Sequence, residues 1–234
     1  MLVPLTRQSF EQMLPLTATG PQYAYFWGNW SDFLRRLLIS MVSLTLFWLL
    51  GKLFGDGFLA IKLLIDIIAG MYWLWAPVYW AGVRNGSYRR LPYCGFWRGR
   101  VLDAFITEEY VGQEERVNKQ GELVIIENRE RRINIEIGDQ SGFTTIVQAP
   151  LQRVHKSIRP GMIAEALVFS KVSDLSDIAK VSDVHLPQVN LWVGEYPALR
   201  RDFFRTVSAE LGGRKETRTP YSRSAPTVIR RRRR

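Results

Sequence analysis

The chain has 234 residues, 47% of them hydrophobic, and a formal charge of +10, which excludes wholesale disorder and fits one or two domains. One cysteine, Cys94, and two histidines, His155 and His185, exclude a disulfide framework and a cysteine-based zinc site and leave little for a histidine metal centre. The charge is uneven: residues 1–90 carry about +4, residues 91–190 about −2 and residues 191–234 about +8.

Residues 1–32 read as an irregular, aromatic-rich segment. They lack the basic start and apolar core of a cleavable secretory signal, and Pro4, Pro15 and Pro21 are expected to break any helix there. Residues 33–85 then read as a hairpin of two transmembrane helices. No charge interrupts Leu37 to Gly51, which Arg35, Arg36 and Lys52 border. Gly55-Asp56-Gly57 is a turn signal, and a second apolar run extends from Phe58 to Val83. Each run reaches about 20 residues once the flanking cations snorkel, enough to cross the hydrocarbon core. The competing reading is a helical pair buried in a soluble core, but no other segment is apolar enough to cover it. Trp73, Trp75, Tyr79 and Trp80 suit an interfacial belt, as do Tyr23, Tyr25, Phe26, Trp27 and Trp30 before the first run. Pro77 is expected to kink the second helix. Cations at both outer ends (Arg35, Arg36, Arg84, Arg89 and Arg90) place both termini on the cytoplasmic or stromal side of a plasma or thylakoid membrane.

Lys62 and Asp66 lie four residues apart, so they share a helical face and are expected to neutralise each other as a structural membrane pair. A proton or ion path through Asp66 is the functional alternative.

Residues 86–96 form a basic, Gly-containing connector. Residues 97–190 carry strand signals: Val101–Ile106, Leu123–Ile126, Ile133 to Ile137, Phe143–Gln148, Met162–Phe169 and Ala179–His185. Ile133, Ile135 and Ile137 alternate with an outward Asn134 and Glu136, residues 108–121 read as a charged loop, and Gly138 to Gly142 as a turn. This order resembles an oligonucleotide/oligosaccharide-binding (OB-like) five-stranded barrel; another small barrel or sandwich is the competitor. Its near-neutral charge, with Phe143 as the one outward aromatic of the two central strands, argues against nucleic acid as a partner. A protein-interaction or stabilising module, as in membrane-anchored barrel proteins of the NfeD type, is the expectation by architectural analogy.

No catalytic constellation emerges, and neither a cofactor nor a metal is expected. Asp103, Glu108, Glu109, Glu114 and Glu115 read as solvated loop carboxylates. His155, between Arg153 and Lys156, reads as part of a surface connector, and His185 as a satisfied structural residue beside Asp183. Cys94 has no neighbouring histidine to activate it, and Gly95 to Gly99 lacks the spacing and lysine of a phosphate loop. Residues 191–213 hold an amphipathic helix, from Pro197 to Leu211, ended by Gly212-Gly213; it packs on the barrel or lies on an anionic membrane. Residues 214–234 read as a disordered Arg-rich tail whose Arg230, Arg231, Arg232, Arg233 and Arg234 suit anionic lipid.

The stretch Gln22-Tyr23-Ala24-Tyr25-Phe26-Trp27-Gly28-Asn29-Trp30, the hairpin after it and Ile158-Arg159-Pro160-Gly161-Met162 resemble a group of cyanobacterial and plastid-type membrane proteins, some labelled phosphate transporter permeases. The resemblance implies a photosynthetic membrane and carries no functional residues across. Two spans line no alternating-access path without heavy oligomerisation. The expected function is therefore a non-enzymatic, membrane-anchored scaffold or assembly factor within a membrane protein complex. An accessory transport subunit and a membrane-tethered RNA- or ribosome-binding module are the alternatives.

Overall fold

The computed structural model describes residues 1–54, 59–117 and 123–216. The amino-terminal segment is more regular than its prolines suggest. It forms strand β1 (Leu2–Pro4), helix α1 (Arg7–Met13) and helix α2 (Gly20–Trp27). The prolines fall where they do no harm: Pro4 closes β1, Pro15 lies between the helices, and Pro21 occupies the first turn of α2, where its missing N–H has no helical partner to lose. The Ser9 N–H donates to the Thr6 side chain at the start of α1, and the Thr19 N–H donates to the Gln22 side chain at the start of α2.

A tight turn follows, in which Gly28 takes φ +67°, a left-handed conformation that favours glycine. The Asn29 N–H then donates to the Asp32 carboxylate at 3.0 Å, opening α3 (Trp30–Phe54). Arg36 reaches back from α3 to the end of α2, where its guanidinium donates to the carbonyls of Phe26 (2.9 Å) and Trp27. The final carbonyls of a helix need such partners.

The second apolar run is two helices, α4 (Leu59–Gly70) and α5 (Tyr72–Arg89), bent by 75°. The break falls at Met71, and Pro77, where a kink is expected from sequence, sits inside α5. Polar groups beside the break find partners. The Trp73 N–H donates to the Ser40 hydroxyl on α3 (3.3 Å), and the Trp75 indole donates to the Ile68 carbonyl (2.8 Å). Trp30–Lys52 is long and apolar enough to cross a membrane, with mean hydropathy 1.7, and only 6% of it is buried. The α4–α5 pair meets that test only if the bent pair counts as one span. The turn expected at Gly55-Asp56-Gly57 lies outside the described residues.

Eight antiparallel strands make one sheet among the described residues. β2 (Tyr93–Val117), β3 (Leu123–Gly138), β4 (Thr144–Pro150), β5 (Ile163–Ser170), β7 (Val184–Leu186) and β8 (Leu191–Val193) lie in the order β4-β3-β2-β5-β7-β8. β1 pairs with β2, and β6 (Ile178–Val181) with β5. β8 comes back close to β4. Ile133, Ile135 and Ile137 are buried together with Trp97, Val101 and the inward residues of β5. At about 25 cal/mol per Å² of apolar surface this core is the principal stabilising term of the sheet.

Several sequence expectations are corrected here. Most of the charged stretch 108–121 is strand rather than loop: its backbone pairs with β3 as far as Val117, and the ion pairs Glu108–Arg131 and Glu109–Arg132 cross that ladder at 3.2 and 2.8 Å. Asn134 is buried rather than outward; its amide donates to Thr107, a diagonal cross-strand neighbour, at 2.7 Å. Phe143 packs edge-on against Trp97 at 5.7 Å instead of facing outward, while Phe105 and Tyr110 of β2 are exposed. The Ala179–His185 strand is divided between β6 and β7.

Met1–Arg200 forms one compact unit and Arg201–Arg234 a second. Within the second lies α6 (Arg201–Glu216). This helix starts later than Pro197 because the carbonyls of Pro197 and Ala198 accept from Gln22 and the Arg200 N–H donates to the Met13 carbonyl. It also continues past Gly212-Gly213. Arg230 to Arg234 lie outside the described residues.

Candidate functional site at the junction of helix and sheet

The end of α5 meets the chain after β8 through a buried polar network. The Tyr196 hydroxyl donates to the Asn85 amide oxygen at 2.9 Å. The Asn85 amide donates to the Gln22 oxygen at 3.0 Å, and the Gln22 amide donates to the carbonyls of Pro197 and Ala198 at 3.0 and 3.1 Å. Gln22, Asn85 and Tyr196 are all buried. A network of this kind holds its members in one geometry, since loss of any partner strands a desolvated polar group. Burial pushes the Tyr196 hydroxyl well above its ordinary pKa, despite the opposing charge of Arg84. It therefore stays protonated and remains a donor.

Beside the network lies a cleft of about 410 Å³, bounded by Arg84 and Tyr88 of α5, Thr144 to Gln148 of β4, Lys180 of β6, Asp183 and Glu195. The volume falls in the range of small-molecule sites. Its cations are held in place. Arg84 lies over the rings of Tyr196 (4.6 Å) and Tyr25 (5.5 Å) and pairs with Glu195 at 3.7 Å. The Lys180 ammonium donates to the Ser87 hydroxyl at 2.9 Å and lies over Tyr88 at 5.0 Å. Cations, tyrosines and carboxylates in such an arrangement fix a helix to a sheet and can bind a polar group.

The residues singled out from sequence do not converge here. Lys62 and Asp66 share α4 but form no ion pair with each other within 4.0 Å; the Lys62 amine lies against Gly51, and one Asp66 carboxylate oxygen is buried without a hydrogen-bond partner. His155 is buried in a 3-10 turn at Arg153–Ser157, and its Nδ1 accepts from the Gln152 N–H at 3.1 Å, which corrects the surface reading. Burial lowers its pKa. His185 is buried, stacked on Trp192 at 4.7 Å and 3.4 Å from Glu165, whose other oxygen pairs with Arg98 at 3.2 Å. The Cys94 thiol is buried and pushed up to about 12 by burial. Among the described residues no three His, Cys, Asp or Glu side chains converge as a metal-holding group.

Both quoted sequence stretches prove to be pins of the fold. Gln22 opens the polar network, and Arg159 to Met162 forms a turn in which Gly161 takes φ +89°. The Gly161 N–H donates to the Val101 carbonyl and the Val101 N–H to the Met162 carbonyl, at 2.8 and 2.9 Å, fastening the turn to β2. Sequence reasoning missed Asn85 and Tyr196. A polar Asn at the end of an apolar run was the one available signal.

No curated protein and no solved structure matches the chain. A family model covers residues 3–218, and the chain belongs to that family, a family of unknown function (DUF8619).

Proposed function

We propose that the protein is a non-enzymatic, membrane-anchored scaffold or assembly factor that presents its sheet at the cytoplasmic or stromal face, as a component of a membrane protein complex. The observation that carries this reading is the outward-facing apolar surface of α3, 6% buried over Trp30–Lys52, on a helical layer fixed to the sheet by Gln22, Asn85 and Tyr196. A core helix of a soluble protein would be mostly covered. Large side chains of α4 and α5, among them Leu63, Leu64, Val78, Tyr79 and Trp80, are likewise exposed, which supports a second, bent crossing and hence a two-pass hairpin with both ends on one side. The strand order, with β8 beside β4, supports an OB-like barrel. The near-neutral charge of residues 91–190 favours protein over nucleic acid. The arginine tail would add contact with anionic lipid, and the resemblance to cyanobacterial and plastid-type membrane proteins would place the assembly in a thylakoid or plasma membrane.

Affinity purification of the tagged protein from native membranes, with and without residues 214–234, tests the reading. A membrane protein complex should co-purify, and alkaline carbonate should leave the protein in the pellet. Release by carbonate, or recovery with no partner from either form, would sink it. The partly buried Asp66 carboxylate favours one second reading, an accessory subunit of a transport complex. In that case Asp66→Asn would lower flux; in a scaffold it would not.

A further inference from the structure

The cleft of about 410 Å³ beside Arg84 is bordered by every residue from Phe143 to Gln148, along β4, and by every residue from Ile178 to Asp183, along β6. A cleft over the face of a strand would meet each second residue only. This one therefore runs along strand edges. β4 pairs with β3 alone, and its register says which backbone groups it leaves over. At the two ends of the ladder the Asp139 N–H donates to the Phe143 carbonyl and the Leu151 N–H to the Arg131 carbonyl. Bonded and non-bonded positions alternate in an antiparallel ladder, so Thr145 and Val147 are bonded to β3, and Thr144, Ile146 and Gln148 turn their N–H and C=O groups to the cleft edge. Pro150, which has no N–H to offer, falls in the same outward set.

Strand direction defines what fits between the two edges. The pairings β4–β3, β3–β2, β2–β5 and β5–β6 are all antiparallel, so β4 and β6 point the same way. β8 runs against both, since it is antiparallel to β7 and β7 to β5. Its Val193 opposes Val184 and Gly194 still lies against Asp183, but Glu195 and Tyr196 then turn away to Arg84 and Asn85. The cleft continues the line that β8 leaves.

We infer that the cleft takes an extended segment of a partner polypeptide, added as a strand in line with β8 and antiparallel to both β4 and β6. This deepens the scaffold reading above and rests on it for the presence of a partner. The four residues of β6 limit the segment to about four residues, roughly 13 Å at 3.3 Å per residue. Its inward side chains would meet Phe143, Val147, Ile178 and Val181, which pack against the sheet core, so that row is apolar; the outward row lies beside Thr144 and Lys180 and is polar. Arg84 and Lys180 balance Asp183 and Glu195 around the cleft, which suits an uncharged segment. A small anion would have to displace existing partners, because Arg84 pairs with Glu195 and Lys180 donates to Ser87. Main-chain bonds to a strand edge supply affinity, and alternate side chains supply specificity.

The test reads amide hydrogen exchange of the full chain at single-residue resolution. In the complex purified in mild detergent, the amides of Thr144, Ile146 and Gln148 should exchange about tenfold more slowly than in the chain stripped of partners, with Thr145 and Val147 unchanged. A capped peptide of sequence Thr-Val-Thr-Val, added to the stripped chain at millimolar concentration, should restore the same alternation. The peptide N-methylated at both valines keeps the side chains, lacks those donors and should not. Ile146→Pro removes one cleft-facing N–H and leaves the ladder to β3 intact, so it should abolish the peptide's protection of Thr144 and Gln148, whereas Ile146→Ala should keep it. Buried Cys94 should stay unreactive in both, as in a folded chain; if Ile146→Pro exposes it, the methylated peptide carries the comparison. A silent peptide, equal slowing of all five amides, protection that survives N-methylation, or a recovered complex in which the three amides exchange freely overturns the inference. Alternating protection by the peptide in a chain that purifies without any partner overturns the scaffold reading alone.

Discussion

The Tyr196 hydroxyl donates to the Asn85 amide oxygen at 2.9 Å, with both side chains buried and 111 positions apart in the sequence. This bond ties the end of α5 to the chain leaving the sheet. Removing the hydroxyl alone, in Tyr196→Phe, should cost about 1 kcal/mol, since Asn85 keeps its bonds to Gln22. Asn85→Ala should cost about 3 kcal/mol, because it opens a cavity and strands groups on both neighbours. The double variant should cost less than the sum, as expected for residues in contact. Denaturant unfolding of the detergent-solubilised protein would check all three, and strict additivity would contradict the network.

Lys62 and Asp66 should behave as independent residues. One buried Asp66 oxygen has no hydrogen-bond partner, so Asp66→Leu should leave stability unchanged or raise it by about 1–2 kcal/mol. The ion pair expected from four-residue spacing would give the opposite sign. A double-mutant cycle with Lys62→Met, read by unfolding in detergent, should return a coupling within about 0.5 kcal/mol of zero. A larger favourable coupling would restore the structural pair.

How much of this could be read in advance depends on the range of the interactions. Ile133, Ile135 and Ile137 announce their strand because period-two alternation is local, and the turn after Gly138 carries its own residues. Glu108 and Glu109 read as loop because their partners, Arg131 and Arg132, appear only once the register is known. The groups beside the break at Met71 are bonded by Ser40 on another helix and by a tryptophan indole, partners that the periodicity of the run does not show. Gln22 and Asn85 lie 63 residues apart. Beyond the polar Asn85 at the end of an apolar run, nothing local marks the pair as a buried network, whereas Pro77, the conspicuous local signal, turned out to be accommodated within α5.

Two titratable groups should shape stability against pH. Burial holds the His155 pKa below its ordinary 6.5. Its contribution is therefore present above that value and is lost as pH falls through 6.5 toward the folded pKa. For Asp139, burial acts to raise the pKa, but bonds from the Ser141 hydroxyl and N–H, with the amino-terminal ammonium, outweigh it and hold the carboxyl below its ordinary 3.8. That contribution is present above 3.8 and is lost as pH falls below it. His155→Gln should flatten the stability profile between about pH 7 and 5, and Asp139→Asn should flatten it below about pH 4. Profiles parallel to wild type in both windows would reject the assignment.

Arg35 and Arg36 are equal as flanking charges and unequal as structure, which makes them a clean comparison. Arg35 is exposed. Arg36 is buried and donates to three carbonyls: Phe26 at 2.9 Å, Trp27, and Asp32 at 3.1 Å. Its guanidinium also lies over the Trp27 ring at 5.4 Å. A planar fork reaches two helix-end carbonyls at once, and a lysine ammonium at the same position does not reproduce that geometry. Arg36→Lys keeps the positive flank yet should cost about 2 kcal/mol, with hydrogen bonds to charged groups worth roughly 1.5–3 kcal/mol each and part of the loss recovered by the ammonium. Arg35→Lys and Arg35→Gln should stay within about 0.5 kcal/mol of wild type. Unfolding in detergent measures the cost, and protease access in sealed vesicles measures orientation, so the two roles separate: Arg36→Lys should lower stability with orientation intact. Equal stabilities for Arg35→Lys and Arg36→Lys would mean that the end of α2 does not depend on this guanidinium, and that Arg36 serves only as a flanking charge.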